Sequence, residues 1–278
     1  MTVFELSGLI FAGALAAGLL GALTGLGGGV VIVPLLTIGF GVNIRYAIGA
    51  SLVSVIATSS GAAAAYVREG FTNIRVAMVL EIATTIGAIV GAALAGVFST
   101  QILAFIFAAM LLYSAFLSGR RRSEHLPLEW SDRWAMRFKL SSSYPSSEGQ
   151  QHYGVRNVPA GFGLMFVAGT LSGLLGIGSG AVKVLAMDNA MHLPFKVSTT
   201  TSNLMIGVTA AASAGIYLRR GQIDPALAFP VMLGVLAGAL LGTRLLARLQ
   251  PRRLRLIFGV VVVALALEMV FKAITGRI

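Results

Sequence analysis

The sequence predicts an all-α polytopic membrane protein made of two homologous repeats, with 8 to 10 transmembrane or half-membrane helices that are broken at glycine-rich motifs. Of the 278 residues, 56% are hydrophobic and only 11% are charged. The mean hydropathy is +0.87. Soluble domains carry about 25% charged residues. The chain therefore belongs in a lipid bilayer, and its organisation follows from the way its apolar segments repeat.

Two frames of five apolar segments follow each other along the chain. Adding 151 to a residue number aligns residues 25–107 with residues 176–258 without a gap, and 19 of the 83 pairs are identical. Self-similarity at a fixed offset is typical of a duplicated structural unit. We therefore expect a first transmembrane repeat over residues 1–118, a cytoplasmic linker over 119–157 and a second transmembrane repeat over 158–278. The apolar segments cover about 6–24, 26–40, 46–67, 75–97, 101–118, 158–175, 177–190, 197–218, 224–247 and 253–272.

The second segment of each frame is too short to cross a bilayer, which takes about 20 apolar residues. Each of these segments begins with a glycine motif, and we expect a half-helix or a re-entrant piece there. Irregular backbone at membrane depth must be covered by protein or face a water-filled cavity. The motif glycines are Gly25, Gly27, Gly28 and Gly29 in the first frame, and Gly176, Gly178 and Gly180, with Ser179 in the third-glycine register, in the second.

Unpaired N–H groups at the start of a helix attract anions, and glycine lets a ligand approach the main chain closely. Short, glycine-interrupted segments at matching positions of two repeats point to the binding site of a transporter. We therefore expect the two motifs to meet and to form an anion site, with the motif glycines and Ser179 as ligands.

Charge in the loops predicts the orientation of the frames. The linker and the turn near residues 248–255 are rich in arginine, so both are expected in the cytoplasm. The equivalent turn of the first frame, residues 98–101, has no cation. This difference favours inverted repeats. Counting each broken pair as one span would instead give four crossings per frame and parallel repeats.

Several polar side chains within the apolar segments are candidates for the site. Lys183 lies about one turn past the second glycine motif, where a charge is costly and usually functional; pairing with Asp188 or snorkelling to an interface is the alternative. Ser51 and its counterpart Ser202, with the neighbouring Asn203, are expected to add substrate contacts. Candidates for gating or coupling are Arg45, Lys196 and Glu81, of which Glu81 either takes up protons or pairs with Arg75.

The composition excludes several other classes of protein. There is no cysteine, and the three histidines lack the spacing of metal ligands, so we expect no metal and no cofactor. The formal net charge is +11, and the excess of cations lies in short loops between the apolar segments and in the linker, which argues against nucleic acid as a partner. Gly178, Ser179 and Gly180 superficially suggest an intramembrane serine hydrolase, but no histidine is placed to act as its base. We therefore predict that the chain is not an enzyme.

The motif from Gly25 to Pro34 with a degenerate copy half a chain later resembles the TauE/SafE sulfite exporter family of anion transporters. The resemblance covers nearly the whole chain except the linker. It implies a multi-pass carrier of the bacterial inner membrane that moves sulfite, sulfoacetate or related small anions, usually outward. Its partners would be the anion and membrane lipids, and a homo-oligomer is compatible with this pattern. The second copy departs from the family pattern at Ser179 and at Leu185, which replaces the proline.

Overall fold

The computed structural model describes residues 3–24, 29–68, 70–119, 130–146, 149–246 and 251–276. The described part is almost entirely helical, with one short β-hairpin between the two frames. Its elements are α1 (Val3–Thr24), α2 (Gly29–Pro34), α3 (Ile44–Arg68), α4 (Ile74–Val97), α5 (Thr100–Gly119), α6 (Arg133–Arg137), β1 (Ser142–Ser146), β2 (Gly149–Tyr153), α7 (Val158–Leu175), α8 (Gly180–Leu185), α9 (Phe195–Arg219), α10 (Pro225–Leu246) and α11 (Pro251–Ile274).

The fold is that of an all-α polytopic membrane protein, as the sequence predicts. Within the described residues, the segments Ile74–Val97, Val158–Leu175 and Pro225–Gly242 are long and apolar enough to cross a bilayer. Both short helices, α2 and α8, continue directly into π-helical turns, Leu35–Gly39 and Ala186–Ala190. These turns are related by the same offset of 151 residues, so the duplication extends to a rare backbone feature.

The second frame begins with a re-entrant hairpin. After α7 the chain folds back, and at Ser179 it lies beside Ala168, a little past the middle of α7, where the Ser179 hydroxyl donates to the Ala168 carbonyl. From there α8 and its π-turn return to the end where α7 began. The Asn157 side chain donates to the Ala190 carbonyl over 3.2 Å. The start of α8 is therefore placed deep within the bundle.

The two frames are inverted relative to each other. The start of α3 packs closely against the residues that follow α9. A Cβ added to Gly49 would lie only 2.2 Å from the Gln222 carbonyl oxygen. At the other end, the amide of Asn73, which follows α3, donates to Thr201 Oγ1 near the start of α9 over 3.0 Å. The equivalent helices α3 and α9 are therefore antiparallel. This relation needs a pseudo-two-fold axis across the bundle, and it excludes the parallel alternative.

Close glycine contacts join the frames. Gly169 and Gly173 of α7 lie against the backbone of Thr84 and Ala88 in α4, where an added Cβ would come within 2.1 Å and 2.0 Å of the respective carbonyl oxygens. Gly234 and Gly238 of α10 make the equivalent approach to α1, against Phe11 and Leu15. Small residues at this spacing let helices pack backbone to backbone.

The sequence of the linker suggests a connection with little core of its own. Its described residues nevertheless contribute to a buried cluster. Ala135, Leu140, Tyr153 and Val155 are buried in one apolar cluster with residues of α4, α7 and α9. The Asn73 side chain donates to the Leu140 carbonyl and to the Tyr153 hydroxyl, each over 2.8 Å. Burial raises the pKa of Tyr153 to about 12, so this hydroxyl stays neutral. The described linker residues thus cap the end of the bundle where α4, α7 and α9 begin, which we call the linker end.

Gly91→Ala should destabilise the fold. Its new Cβ would lie 2.0 Å from the Thr170 carbonyl oxygen of α7, so the α4–α7 pair would have to separate. Overpacking of this kind costs about 1–3 kcal/mol. Thermal unfolding in detergent measures the loss. Gly163→Ala, on an exposed part of α7 with no atom within 4 Å of its Cβ, is the control and should leave the melting temperature unchanged or higher. Equal melting temperatures for both variants would contradict the close packing.

Candidate functional site

The second glycine motif forms a turn that only glycine can adopt at two positions. Gly176 and Gly178 have φ angles of +68° and +69°. A Cβ on Gly176 would lie 2.9 Å from the Ile48 carbonyl oxygen, and one on Gly178 would lie 2.7 Å from Ile206 Cγ2. The left-handed backbone and the lack of space both require glycine. The turn is therefore enclosed by α3 and α9 of the two frames.

Ser179 ends this turn with an unusual backbone conformation for a serine, φ +39°. Its hydroxyl proton is engaged by the Ala168 carbonyl, so the hydroxyl does not offer a donor to an anion in this arrangement. Its carbonyl accepts from the amides of Val182 and Lys183, each over 3.1 Å. The amides of Gly180 and Ala181 donate to no acceptor in the described part of the chain. Free donors at this position are what a helix start supplies.

The two glycine motifs meet, as far as the described residues show. A Cβ on Gly29 would lie 3.3 Å from the Gly176 carbonyl oxygen and 2.9 Å from Ser51 Oγ. Ser51 Oγ in turn donates to the Gly176 carbonyl over 2.8 Å and so joins α3 of the first frame to the turn of the second. The other candidate ligands of the first motif, Gly25, Gly27 and Gly28, lie outside the described residues.

Ser202 and Asn203 occupy the start of α9 next to α8. Ser202 Oγ donates to the Gly180 carbonyl over 3.3 Å. The half-buried Asn203 amide makes no hydrogen bond to any described residue. Ser51 and Ser202 therefore both satisfy carbonyls of the second glycine motif, whereas Asn203 keeps its donors available.

A pair of opposite charges crosses from one frame to the other beside this turn, and its acidic member, Glu81, is partly buried. Lys183 is fully buried, and its Nζ donates to Thr209 Oγ1 over 2.6 Å. Thr209 Oγ1 lies 2.8 Å from Glu81 Oε1 on α4, to which it donates. Lys183 and Glu81 attract each other electrostatically. A threonine hydroxyl thus bridges an ammonium group and a carboxylate inside the bundle.

Glu81 does not pair with Arg75, the partner that the sequence favours. Arg75 Nη1 donates to the Lys139 carbonyl of the linker over 3.0 Å. Glu81 Oε1 instead accepts from Thr209 and, over 3.3 Å, from Thr85 Oγ1. Its second oxygen, Oε2, is buried and has no hydrogen-bond partner among the described residues. Glu81 therefore faces the bundle interior.

The charge pair exists at only one of the two places that the internal repeat relates to each other, which we call halves of the bundle. At the equivalent positions, 151 residues earlier or later, Lys183 is matched by Ile32, Thr209 by Thr58 and Glu81 by Met232. Ile32 is fully buried, so this half packs without charge. Thr58 Oγ1 bonds to the Ser54 carbonyl of its own helix over 3.0 Å. Since one half folds without these charges, the fold does not require them.

Arg45 and Lys196 lie apart from the charge pair, at opposite ends of the bundle. Arg45 Nη2 donates to the Phe98 carbonyl at the end of α4 over 2.8 Å. Lys196 Nζ lies 4.3 Å from the centre of the Phe71 ring at the linker end. Both cations thus have structural partners in addition to the gating or coupling role that the sequence suggests.

Thr209 is the member of this site that the sequence did not single out. Its signal was its identity with Thr58 in the aligned frames, which among the serine and threonine residues of α3 and α9 is shared by the pair Ser51 and Ser202. Within the described residues, no group of three or more histidine, aspartate or glutamate side chains is arranged to hold a metal ion.

A sequence profile described as "Sulfite exporter TauE/SafE" matches residues 10–269. The chain belongs to the TauE/SafE sulfite exporter family. "Probable membrane transporter protein YunE" of Bacillus subtilis is 25% identical over 267 residues, which cover 94% of this chain and 96% of that protein. A "Probable membrane transporter protein" of Xylella fastidiosa strain 9a5c is 27% identical over 276 residues, 98% of each chain. No solved structure matches.

The family and the names of its members make this chain a membrane transporter rather than an enzyme. The engaged Ser179 hydroxyl agrees with that assignment, since a nucleophile would need a base in this place.

Removing one member of the charge pair should destabilise this TauE/SafE protein more than removing both. Lys183→Ile or Glu81→Met alone leaves a buried charge without its partner, which costs about 3–5 kcal/mol. The double variant reproduces the apolar pair of the other half and should regain most of that loss. Thermal unfolding of the three variants measures these differences. Additive losses in the double variant would show that the two charges do not interact.

Proposed function

We propose that this protein is a secondary transporter of small sulfur-containing or organic anions such as sulfite or sulfoacetate, and that it exports them across the bacterial inner membrane in which its helices lie. The observation that carries the proposal is the fully buried Lys183 ammonium group next to the glycine turn. A charge in the membrane interior is costly, and it marks a substrate pathway in most transporters. The family description supports sulfite as one of the anions.

The position of Lys183 supports anion binding at the glycine turn. Side chains on a helix point back towards its N-terminus, so the Lys183 side chain extends from α8 towards the turn. Its Nζ reaches Thr209, one turn of α9 beyond Ile206, and Ile206 contacts both Gly178 and Gly180. The amides of Gly180 and Ala181, which have no acceptor among the described residues, are on the same helix start. A compact anion fits this combination of one fixed charge and backbone donors.

Asn203 and the first glycine motif complete the proposed site. The Asn203 amide is half-buried, has no protein partner among the described residues and follows Ser202, which contacts Gly180. Gly29 brings the start of α2 against the Gly176 carbonyl. Two glycine motifs from inverted frames at one place give a carrier a site that both sides of the membrane can reach in turn.

Loss of the Lys183 charge should weaken anion binding. Sulfite, sulfoacetate, simple alkanesulfonates and chloride are added in turn to the purified protein, and the shift of its melting temperature is measured. A ligand at 100 times its Kd stabilises a protein by about 2.7 kcal/mol. We expect such a shift from at least one sulfur oxyanion with the wild type. Lys183→Met should weaken its binding about 10-fold or more, since a hydrogen bond to a charged group contributes about 1.5–3 kcal/mol.

Two further variants separate binding from folding. Lys183→Ile/Glu81→Met has no unpaired charge in the bundle to destabilise it, and it should fold but bind the anion as weakly as Lys183→Met does. Lys139→Met removes one positive charge from an exposed position of the linker and should bind as the wild type does. If the double variant still binds the anion with unchanged affinity, Lys183 is not part of the site.

A further inference from the structure

We propose that Glu81 is the proton-binding site of the carrier and that one proton crosses the membrane together with each anion. This inference rests on the proposed function, because it takes the anion to bind beside Lys183. It goes beyond that function by naming the coupling ion and the residue that holds it. The argument depends on the arrangement of three side chains and on the balance of charge inside the bundle.

The hydroxyl of Thr209 sets the direction of the hydrogen bonds. Lys183 Nζ has only protons to give, so Thr209 Oγ1 accepts from it over 2.6 Å. The single hydroxyl proton has two acceptors within reach, Glu81 Oε1 and the Met205 carbonyl of its own helix, each 2.8 Å away. When it points to Glu81, it links the carboxylate to Lys183. Glu81 Oε1 also accepts from Thr85. The three residues therefore form a chain of hydrogen bonds in which the negative charge of Glu81 balances the positive charge of Lys183.

The empty site is neutral as a pair, and an anion disturbs that balance. If an anion joins the ammonium group while Glu81 keeps its charge, two negative charges share one positive charge in a region of low dielectric constant, where like charges repel strongly. Uptake of one proton by Glu81 removes this repulsion. The anion then takes the place of the carboxylate as the counter-charge of Lys183. Anion and proton consequently favour each other's binding, and linkage requires this effect to be reciprocal.

The structure offers a place for the proton. Glu81 Oε2 is buried and has no hydrogen-bond partner among the described residues, whereas Oε1 already accepts from two hydroxyls. In the coupling step, an O–H bond forms at Oε2 with a proton taken from water on one side of the membrane. The same bond breaks when the proton leaves to water on the other side. No existing hydrogen bond at Oε1 has to be broken.

Other charged groups do not substitute for this pair. α4 packs mainly against α7 and α9, and α7 has no ionisable residue between Val158 and Leu175. On α9, Lys196 lies over Phe71, and the hydroxyl of Tyr217 donates to the Gly173 carbonyl over 3.1 Å. Asp188 and His192 follow Lys183 towards the linker end, and neither is among the charged groups that act on Glu81 or Lys183. Among the described residues, Lys183 is the charged group that acts on Glu81.

Lys183 also argues against a metal ion as the coupling ion. A sodium ion at Glu81 would lie close to the ammonium group, since one hydroxyl separates the two charged side chains. Repulsion between these two cations would be strong in this place. A proton forms a neutral carboxylic acid and avoids it.

Coupling to a proton is compatible with export. A dianion such as sulfoacetate keeps one negative charge that the proton does not compensate. The inside-negative potential of a bacterial membrane favours the outward movement of that charge by about 2.3 kcal/mol per 100 mV.

The test uses full-length protein in liposomes and radiolabelled sulfoacetate. Sulfite is avoided because acid converts it to sulfur dioxide, which crosses lipid unaided. The membrane potential is clamped at zero with potassium and valinomycin. With about two pH units between an acidic outside and the interior, one proton per anion should concentrate sulfoacetate inside up to roughly 100-fold, because each unit is a tenfold ratio of protons.

Glu81→Gln should separate exchange from accumulation. It keeps the shape of the protonated acid but cannot release a proton, so labelled and unlabelled sulfoacetate should still exchange across the membrane. The pH gradient should no longer concentrate the anion, and the ratio should fall to about 1. Glu268→Gln makes the same change on an exposed part of α11 and should behave as the wild type.

The outcomes distinguish the two levels of the proposal. The wild type could transport sulfoacetate without a dependence of its accumulation on the pH gradient, or with a dependence on a sodium gradient instead. Either result would show that the coupling role of Glu81 is wrong, while the proposal of anion transport would stand. Wild-type accumulation by Glu81→Gln would also overturn it. If the wild type neither binds nor transports sulfoacetate, the proposed function with this anion fails together with its coupling.

Discussion

Backbone groups inside a bilayer need partners from the protein, and this requirement shapes the whole arrangement. A turn such as Gly176–Gly180 breaks the regular pattern of helix hydrogen bonds at a depth where lipid offers no replacement. The Gly176 carbonyl is satisfied by Ser51 from the other frame, and the Gly180 carbonyl by Ser202. The turn is thus possible only when the two frames are packed together. The close contacts of α7 with α4 keep the two frames packed together.

Inversion of the frames follows from the same packing. Each frame consists of a long helix, a short helix that follows a glycine motif, and three further helices. The turn of the second frame needs enclosure, and α3 of the inverted first frame supplies part of it. The later divergence is visible in side chains rather than in backbone, because the π-helical turns have stayed at equivalent positions while Lys183 and Glu81 occur in one half only.

Composition and internal repetition were enough to predict the fold class, because both depend on many residues at once. The contact between Glu81 and Thr209 could not be predicted, since it joins positions 128 residues apart and depends on how α4 and α9 are rotated about their axes. Arg75, only six positions away in the sequence, was the nearer candidate partner for Glu81. The linker was underestimated for a related reason. Its buried residues, such as Leu140 and Tyr153, are too few and too irregularly spaced to show a period, and their core is completed by distant helices.

Three hydrogen bonds between α4 and α9 share one spacing along the two helices. Asn73 bonds to Thr201, Glu81 to Thr209 and Arg220 to the Ala92 carbonyl, each pair 128 residues apart. The two helices are therefore held in register near both ends and in the middle. Sliding of one along the other would break all three contacts at once. A displacement that accompanies a change of charge at Glu81 is therefore easier for α8, the six-residue helix that carries Lys183, than for α4 and α9.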